Sequence, residues 1–401
     1  MKRFLWVLSL ASCFSIIFCL SALAQKRKTP RLKEDVLLPA DFSIDFQLAS
    51  VERSRLRTGT NLLVGTELNT VGEAVFRTLV ENPTVSSFGV PYRWSFTILD
   101  TNQINAHSLP DGEIAVDGGM AKLLGTNGGL WAAVLSHEVS HTARRHAVRR
   151  YLYALYVQEQ RAYYQMRARN GDNSANWALL GLSIAAPIAT AKLSRDLEHD
   201  ADTQGMMLMA RAGYHPDYVF ALHHLTRAFT GERSKFAAFF SGHPRWETRD
   251  QRSERAYADA LAEYNRLWPD PVSSPGGPPP PIAFAGKPHA TERKRTKTAD
   301  IDLPLYCRNS SGPVTIVMHF IKGNRELPAL SEEYRDASGN LEFQQKAECF
   351  DKDDAAPVVI HLPATLVPVQ SRKVQALVSV FDSRGELLER FKAFDVRFPK
   401  P

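Results

Sequence analysis

Leu62, Leu63, Val71, Val75, Leu79 and Val80 have helical spacing, so residues 61–82 read as a helix that Pro83 stops. Residues 94–99 alternate apolar and polar side chains like a strand. Residues 105–119 read as strand, turn at Pro110-Asp111-Gly112, and strand. A helical stripe follows: Leu130, Val134, His137 and His141 share one face, and Asn127 stands where an N-cap belongs. Residues 151–170 predict a tyrosine-rich helix broken at 171–174. The apolar stretch 177–193, which contains Gly181 and Pro187, predicts a separate core helix, with a segment touching a membrane surface as the alternative. Further helices are expected from Ser194 to the Ala212-Gly213 stop, over 216–229, and over 247–267.

The pattern changes character at residue 269. Residues 269–300 contain Pro278 to Pro281 and the run Glu292-Arg-Lys-Arg-Thr-Lys297, and read as a semi-stiff, basic linker. Beyond it, 314–321, 358–360, 374–381 and 391–398 carry strand periodicity. The fold class expected is therefore α+β: a mainly helical domain with a small sheet over 61–268, then a β-sandwich-like domain over 301–401.

Lys2 and Arg3, the apolar run 4–20 and Ala22-Leu23-Ala24 have the form of a leader cleaved after Ala24, which implies export to the periplasm or cell envelope. The alternatives are an uncleaved anchor and, ranked below, a lipoprotein at Cys13, which lies in mid-run. Residues 25–60 are expected to be a flexible lead-in. Losing Lys2 and Arg3 takes the formal net charge from +6 to +4, too mild and too scattered to imply nucleic-acid binding. Only Cys307 and Cys349 would then remain, and a single disulfide is the expected use of two cysteines in an exported domain, two buried free thiols being the alternative.

The chemistry concentrates in His137-Glu138-Val139-Ser140-His141, an H-E-x-x-H motif on a helix. Residues four apart lie one above the other, so both imidazoles can reach one metal ion, while Glu138 is rotated aside and can address a water there. A catalytic zinc needs a third protein ligand and an open position. Glu198 is the candidate ligand, and Asp202, one turn on, can accept the N–H of a ligating histidine. His146, five residues beyond His141, is expected to point away from the ligand face.

Four blocks occur in order: Asn105-Ala106 with Leu109-Pro110-Asp111-Gly112; the histidine motif with Arg145-His146; Ser194-Arg195 with Glu198, Ala201-Asp202 and Ala212-Gly213-Tyr214 before Pro216; and His243-Pro244 with Arg249. In these, residues 65–255 resemble the HtpX and CaaX-prenyl-protease family of zinc metallopeptidases, and among them the exported soluble members of the BepA kind. The resemblance implies one Zn2+ per chain held by His137, His141 and Glu198, with Glu138 as general base. It also implies His243 as a transition-state stabiliser, Arg249 and Asp202 as supporting residues, and Asn105, Ala106, Leu109 and Pro110 as a strand that pairs with substrate. His107, Ser108, Asp111 and Asp250 depart from the family pattern, which bears on substrate preference rather than on the metal. The family's multi-span membrane region and the BepA helical repeats are absent. The expected function is endoproteolysis of misfolded or envelope polypeptides; the alternative is a chaperone or assembly factor that binds clients and cleaves rarely. An envelope protein docked on the β-rich domain, at most peripheral membrane contact and no nucleic acid complete the expected partners.

Overall fold

The computed structural model describes residue 38 and residues 41–228 and 250–400, except 286–287, 310–311, 324, 351–356, 369–370, 386 and 392. The expected leader, Cys13, His243 and Arg249 lie outside the described residues.

The expected flexible lead-in contains a helix, α1 (Ser43–Arg57). Its pattern is legible in retrospect: Asp45 and Ala49, four apart, are both fully buried. Strand β1 (Leu62–Leu63) precedes α2 (Glu67–Val80), which Thr66 and Asn69 open with a reciprocal capping box. Pro83 does not only end that helix; with Asn82 as its cap it starts the short α3 (Pro83–Ser86). Next come β2 (Ser95–Leu99), β3 (Ala106–Ser108), β4 (Glu113–Asp117) and α4 (Gly118–Leu124). The sheet order is β1-β2-β4-β3, with β2 and β4 parallel and the outer pairs antiparallel. Among the described residues strand β3 therefore forms an edge.

The motif helix α5 (Gly128–Ala143) is capped by the Asn127 carboxamide, which accepts from the N–H groups of Gly129 and Leu130. It is buried nearly all round, with Trp131, Leu135 and Val139 in one core with Phe76, Leu79, Ile98, Ile114 and Val116. Burying side chains of this size stabilises the fold by roughly 1.5–3 kcal/mol each. Helix α6 (His146–Arg169) and helix α7 (Asn173–Arg211) form a hairpin over the turn at Gly171. The two helices expected over 177–211 are one, because residues 188–197 contain no breaker and Pro187 is accommodated inside the helix. Helix α7 crosses α5 at Gly205: a Cβ there would stand 3.1–3.2 Å from the backbone of Ser136 and His137. Any side chain there would push the two helix backbones apart by a few tenths of an ångström. Helices α8 (Asp217–Ala228) and α9 (Asp250–Leu267) complete the domain, α9 packing on α7.

The expected linker is not free chain. Tyr218 donates to the Pro278 carbonyl and Asn309 to that of Pro280, and strands β5 (Ile282–Ala285), β6 (His289–Arg293) and β7 (Thr298–Leu303) follow. Proline lacks a donor but keeps its carbonyl, so the run docks through its acceptors. The basic run closes the β6–β7 hairpin, with Lys297 left-handed. Strands β8 (Leu305–Arg308), β9 (Gly312–Lys322), β10 (Arg325–Glu326), β11 (Glu342–Cys349), β12 (Val358–Pro363), β13 (Lys373–Phe381), β14 (Leu387–Arg390) and β15 (Phe394–Arg397) build the rest. A sheet around β9 and β13 and a smaller sheet β12-β7-β6 share one core, including Ile301, Leu303, Ile316, Met318, Ile360 and Val378. Cys307 and Cys349 form a buried disulfide between β8 and β11. Asp217, fully buried at the start of α8, ties this region to the helical domain by accepting from Arg308 and Asn309.

Candidate metal centre

One turn apart on α5, His137 and His141 bring their Nε2 atoms within 3.0 Å. Glu198 arrives from α7, its carboxylate oxygens 3.5 Å from His137 Nε2 and 3.3 Å from His141 Nε2. The three side chains form a cluster able to hold a metal ion. A tetrahedral ion with bonds of about 2.0–2.1 Å separates its ligands by roughly 3.3 Å, so the spacing fits. The Gly205 crossing explains the aim. With the helices that close, Glu198 and Asp202, one turn apart on α7, come level with the two histidines.

The outer ring nitrogens decide which nitrogens are available to a metal. His137 Nδ1 lies 2.9 Å from Asp202 Oδ1, so it donates and leaves Nε2 bare. His141 Nδ1 lies 2.9 Å from His146 Nδ1, and His146 Nε2 lies 2.9 Å from Asp200 Oδ2. Of two facing Nδ1 atoms one must donate. Once His141 Nε2 is committed to a metal, its Nδ1 carries the proton, His146 Nδ1 accepts, and His146 Nε2–H points at Asp200. Arg144 holds the same Asp200 oxygen at 2.9 Å. The order of charge is therefore guanidinium, carboxylate, neutral His146, neutral His141. Burial pushes the His141 imidazolium down to about 3 against the pull of Glu198, keeping it neutral as a ligand must be. Burial also lowers His146 despite Asp200. Burial alone would raise Asp200, but hydrogen bonds from His146 and Arg144 carry it down to about 2.

His146 thus occupies a role that its spacing concealed. Helix α5 ends at Ala143, and Arg145 is left-handed at φ 55°, so the chain turns back and the five-residue interval no longer follows helical pitch. That turn is held by Asp45 of α1, fully buried, which accepts from Arg145 Nε at 2.9 Å and Nη2 at 2.6 Å. The available signal was compositional: three imidazoles in ten residues, facing the carboxylates of Glu198, Asp200 and Asp202.

Glu138 is buried at 3% exposure, rotated by roughly 100° from His137 about the helix axis. The edge strand is fastened to the same helix: Thr142, directly after His141, donates its hydroxyl to the Leu109 carbonyl at 3.0 Å. Ala106, Leu109 and Pro110 are buried, and Arg53 and Arg57 of α1 brace the turn through Asp111 and Glu113. Asn105 presents a buried Oδ1 with no hydrogen-bond partner among the described residues. No position for His243 or Arg249 enters this geometry.

Residues 73–255 match the family model described as Peptidase family M48. This stretch is a family M48 metallopeptidase domain. The chain is also 28% identical over 185 residues to the mitochondrial metalloendopeptidase OMA1 of Schizosaccharomyces pombe, covering 44% of this chain and 52% of that protein. It spans about half the length of the curated relative it matches. The M48 stretch contains the histidine pair, Glu198 and the supporting Asp200, Asp202 and His146, and leaves out α1 and the β-rich region.

Proposed function

We propose that the chain is a zinc-dependent endopeptidase that hydrolyses extracytoplasmic polypeptides, misfolded or envelope proteins among them. The observation that carries this is the convergence of two imidazoles and a carboxylate from α5 and α7, each histidine held by an outer partner, beside the edge strand β3. Nitrogen and carboxylate donors in this number suit zinc with one position left open. The leader-like residues 1–24 support the compartment.

In this reading β3 receives the substrate as an added strand, its backbone groups aligning the scissile bond across α5. Asn105 Oδ1 is available to accept a substrate N–H. Zinc, when bound by His137, His141 and Glu198, supplies the Lewis acid that polarises the carbonyl and acidifies water. Glu138 takes the proton of the attacking water and returns it to the leaving amine nitrogen. His243, which the family resemblance assigns to the oxyanion, would contribute typically a few kcal/mol there. The test is Glu138→Gln: zinc content stays at one per chain and casein cleavage falls by several orders of magnitude. Undiminished cleavage by this variant refutes the assignment, and client binding that survives chelation in a wild-type protein that never cleaves favours the chaperone reading instead.

A further inference from the structure

The α6–α7 hairpin leaves the body of the domain. In α6 nothing beyond Val148 is buried, and in α7 only Ala175 and Ala186 are buried before Leu197. Yet residues 173–191 contain no charged side chain, a stretch about 28 Å long as a helix. The core helix of a soluble protein hides such a stretch; here 6% of its most apolar window is buried. Trp177, Leu180, Ile184 and Ile188 line the outside, with Trp177 and Ile188 each 64% exposed. Exposed Ser183, Ala185, Pro187 and Ala191 extend this uncharged surface around about half of the helix circumference. An exposed apolar area of this kind marks an interaction surface.

We infer that the outer half of the hairpin lies on an anionic lipid surface, α7 sunk into the interface and α6 above it. Three features select lipid over a second copy or a protein groove. The uncharged arc is wider than the stripe that helix–helix docking uses. Helix α6 carries Arg149, Arg150, Arg161, Arg167 and Arg169 against the single acid Glu159, and Lys192 and Arg195 follow the apolar stretch; with Asp172, which pairs with Arg167, and Asp196 counted, residues 149–196 hold seven cationic side chains against three acidic ones. Trp177 on α7 and Tyr163 on α6 stand exposed near the turn, as aromatic side chains do at membrane–water boundaries. The charges of α6 oppose crossing, so the pair lies in the interface rather than spanning it.

The test uses the full chain and vesicles of phosphatidylcholine with or without phosphatidylglycerol. The difference between wild-type and Trp177→Phe emission isolates Trp177 from the five other tryptophans and from any insertion of the N-terminal run. The expected result is a blue shift and quenching of Trp177 by bromolipid on anionic vesicles. Apparent partitioning should be about tenfold or more above that on neutral vesicles and weaken in high salt. Ile184→Glu with Ile188→Glu should abolish the shift and leave circular dichroism and casein cleavage in solution unchanged. An unmoved Trp177 emission on anionic vesicles, or an equal shift in the double variant, overturns the inference. So does a blue shift that grows with protein concentration without lipid, which assigns the surface to a second copy.

Discussion

Replacing His146 by leucine removes a single acceptor one imidazole away from the metal, and the structure sets the size of the effect. His141 Nδ1–H then faces an apolar side chain in a site where His141 is 3% and His146 0% exposed, so water cannot replace the lost partner. Leaving a buried donor unpaired costs about 1–3 kcal/mol. At 1.4 kcal/mol per tenfold this weakens zinc binding by about 5- to 150-fold, in line with the 10- to 100-fold typical of lost outer partners. His146→Asn places a carbonyl oxygen roughly where Nδ1 stood and should stay within about threefold of wild type. Zinc dissociation constants from competition with a chromophoric chelator at neutral pH measure the difference, with the melting temperature of the metal-free protein as the fold control. If His146→Leu binds zinc within twofold of wild type at unchanged stability, the proton arrangement argued for His141 and His146 is wrong.

Asp202→Ala strips the corresponding partner from His137 and should weaken zinc by about tenfold or more by the same titration. Asp200 has its carboxyl pKa held at about 2 against an ordinary 3.8. Its contribution to stability is therefore full above about pH 4 and is lost as pH falls toward 2; Asp200→Asn should flatten acid unfolding over that window by up to about 2 kcal/mol. Arg145→Ala leaves the fully buried Asp45 carboxylate without its guanidinium and should cost about 3–5 kcal/mol in denaturant unfolding, with looser zinc as α1 lets go of the α5–α6 turn. Cys307→Ala with Cys349→Ala opens a 42-residue loop and should cost the β-rich region about 4 kcal/mol, leaving metal content untouched.

What is legible in the sequence follows periodicity and local chemistry. Asn127 and the four-residue spacing of His137 and His141 specify a helix and a shared face without any tertiary information. The Pro110-Asp111-Gly112 turn sets the β3–β4 pairing in the same way. What is not legible depends on contacts made across the chain. Helix α1 looks like a polar lead-in until Asp45 and Arg145, a hundred residues apart, are seen to need one another. The proline run looks like a spacer until Tyr218 and Asn309 claim its carbonyls. His146 misleads because its direction depends on a left-handed residue, Arg145, at a position where no glycine announces a turn. The apolar stretch of α7 reads as core because composition cannot tell a buried helix from one whose outer face awaits another medium.

The crossing at Gly205 also bears on how the domain assembles. His137 and His141 can form with α5 alone, but Glu198 is 57 residues further on and reaches them only after the α6–α7 hairpin has folded back and docked. An ion held by all three bolts two helices that the chain joins only through a long excursion. At a free metal concentration a thousand times its dissociation constant, that bolt adds about 4 kcal/mol to the folded state. Before that docking the histidine pair is an incomplete chelate, so the complete ligand set exists only in a chain whose α7 has already packed on α5.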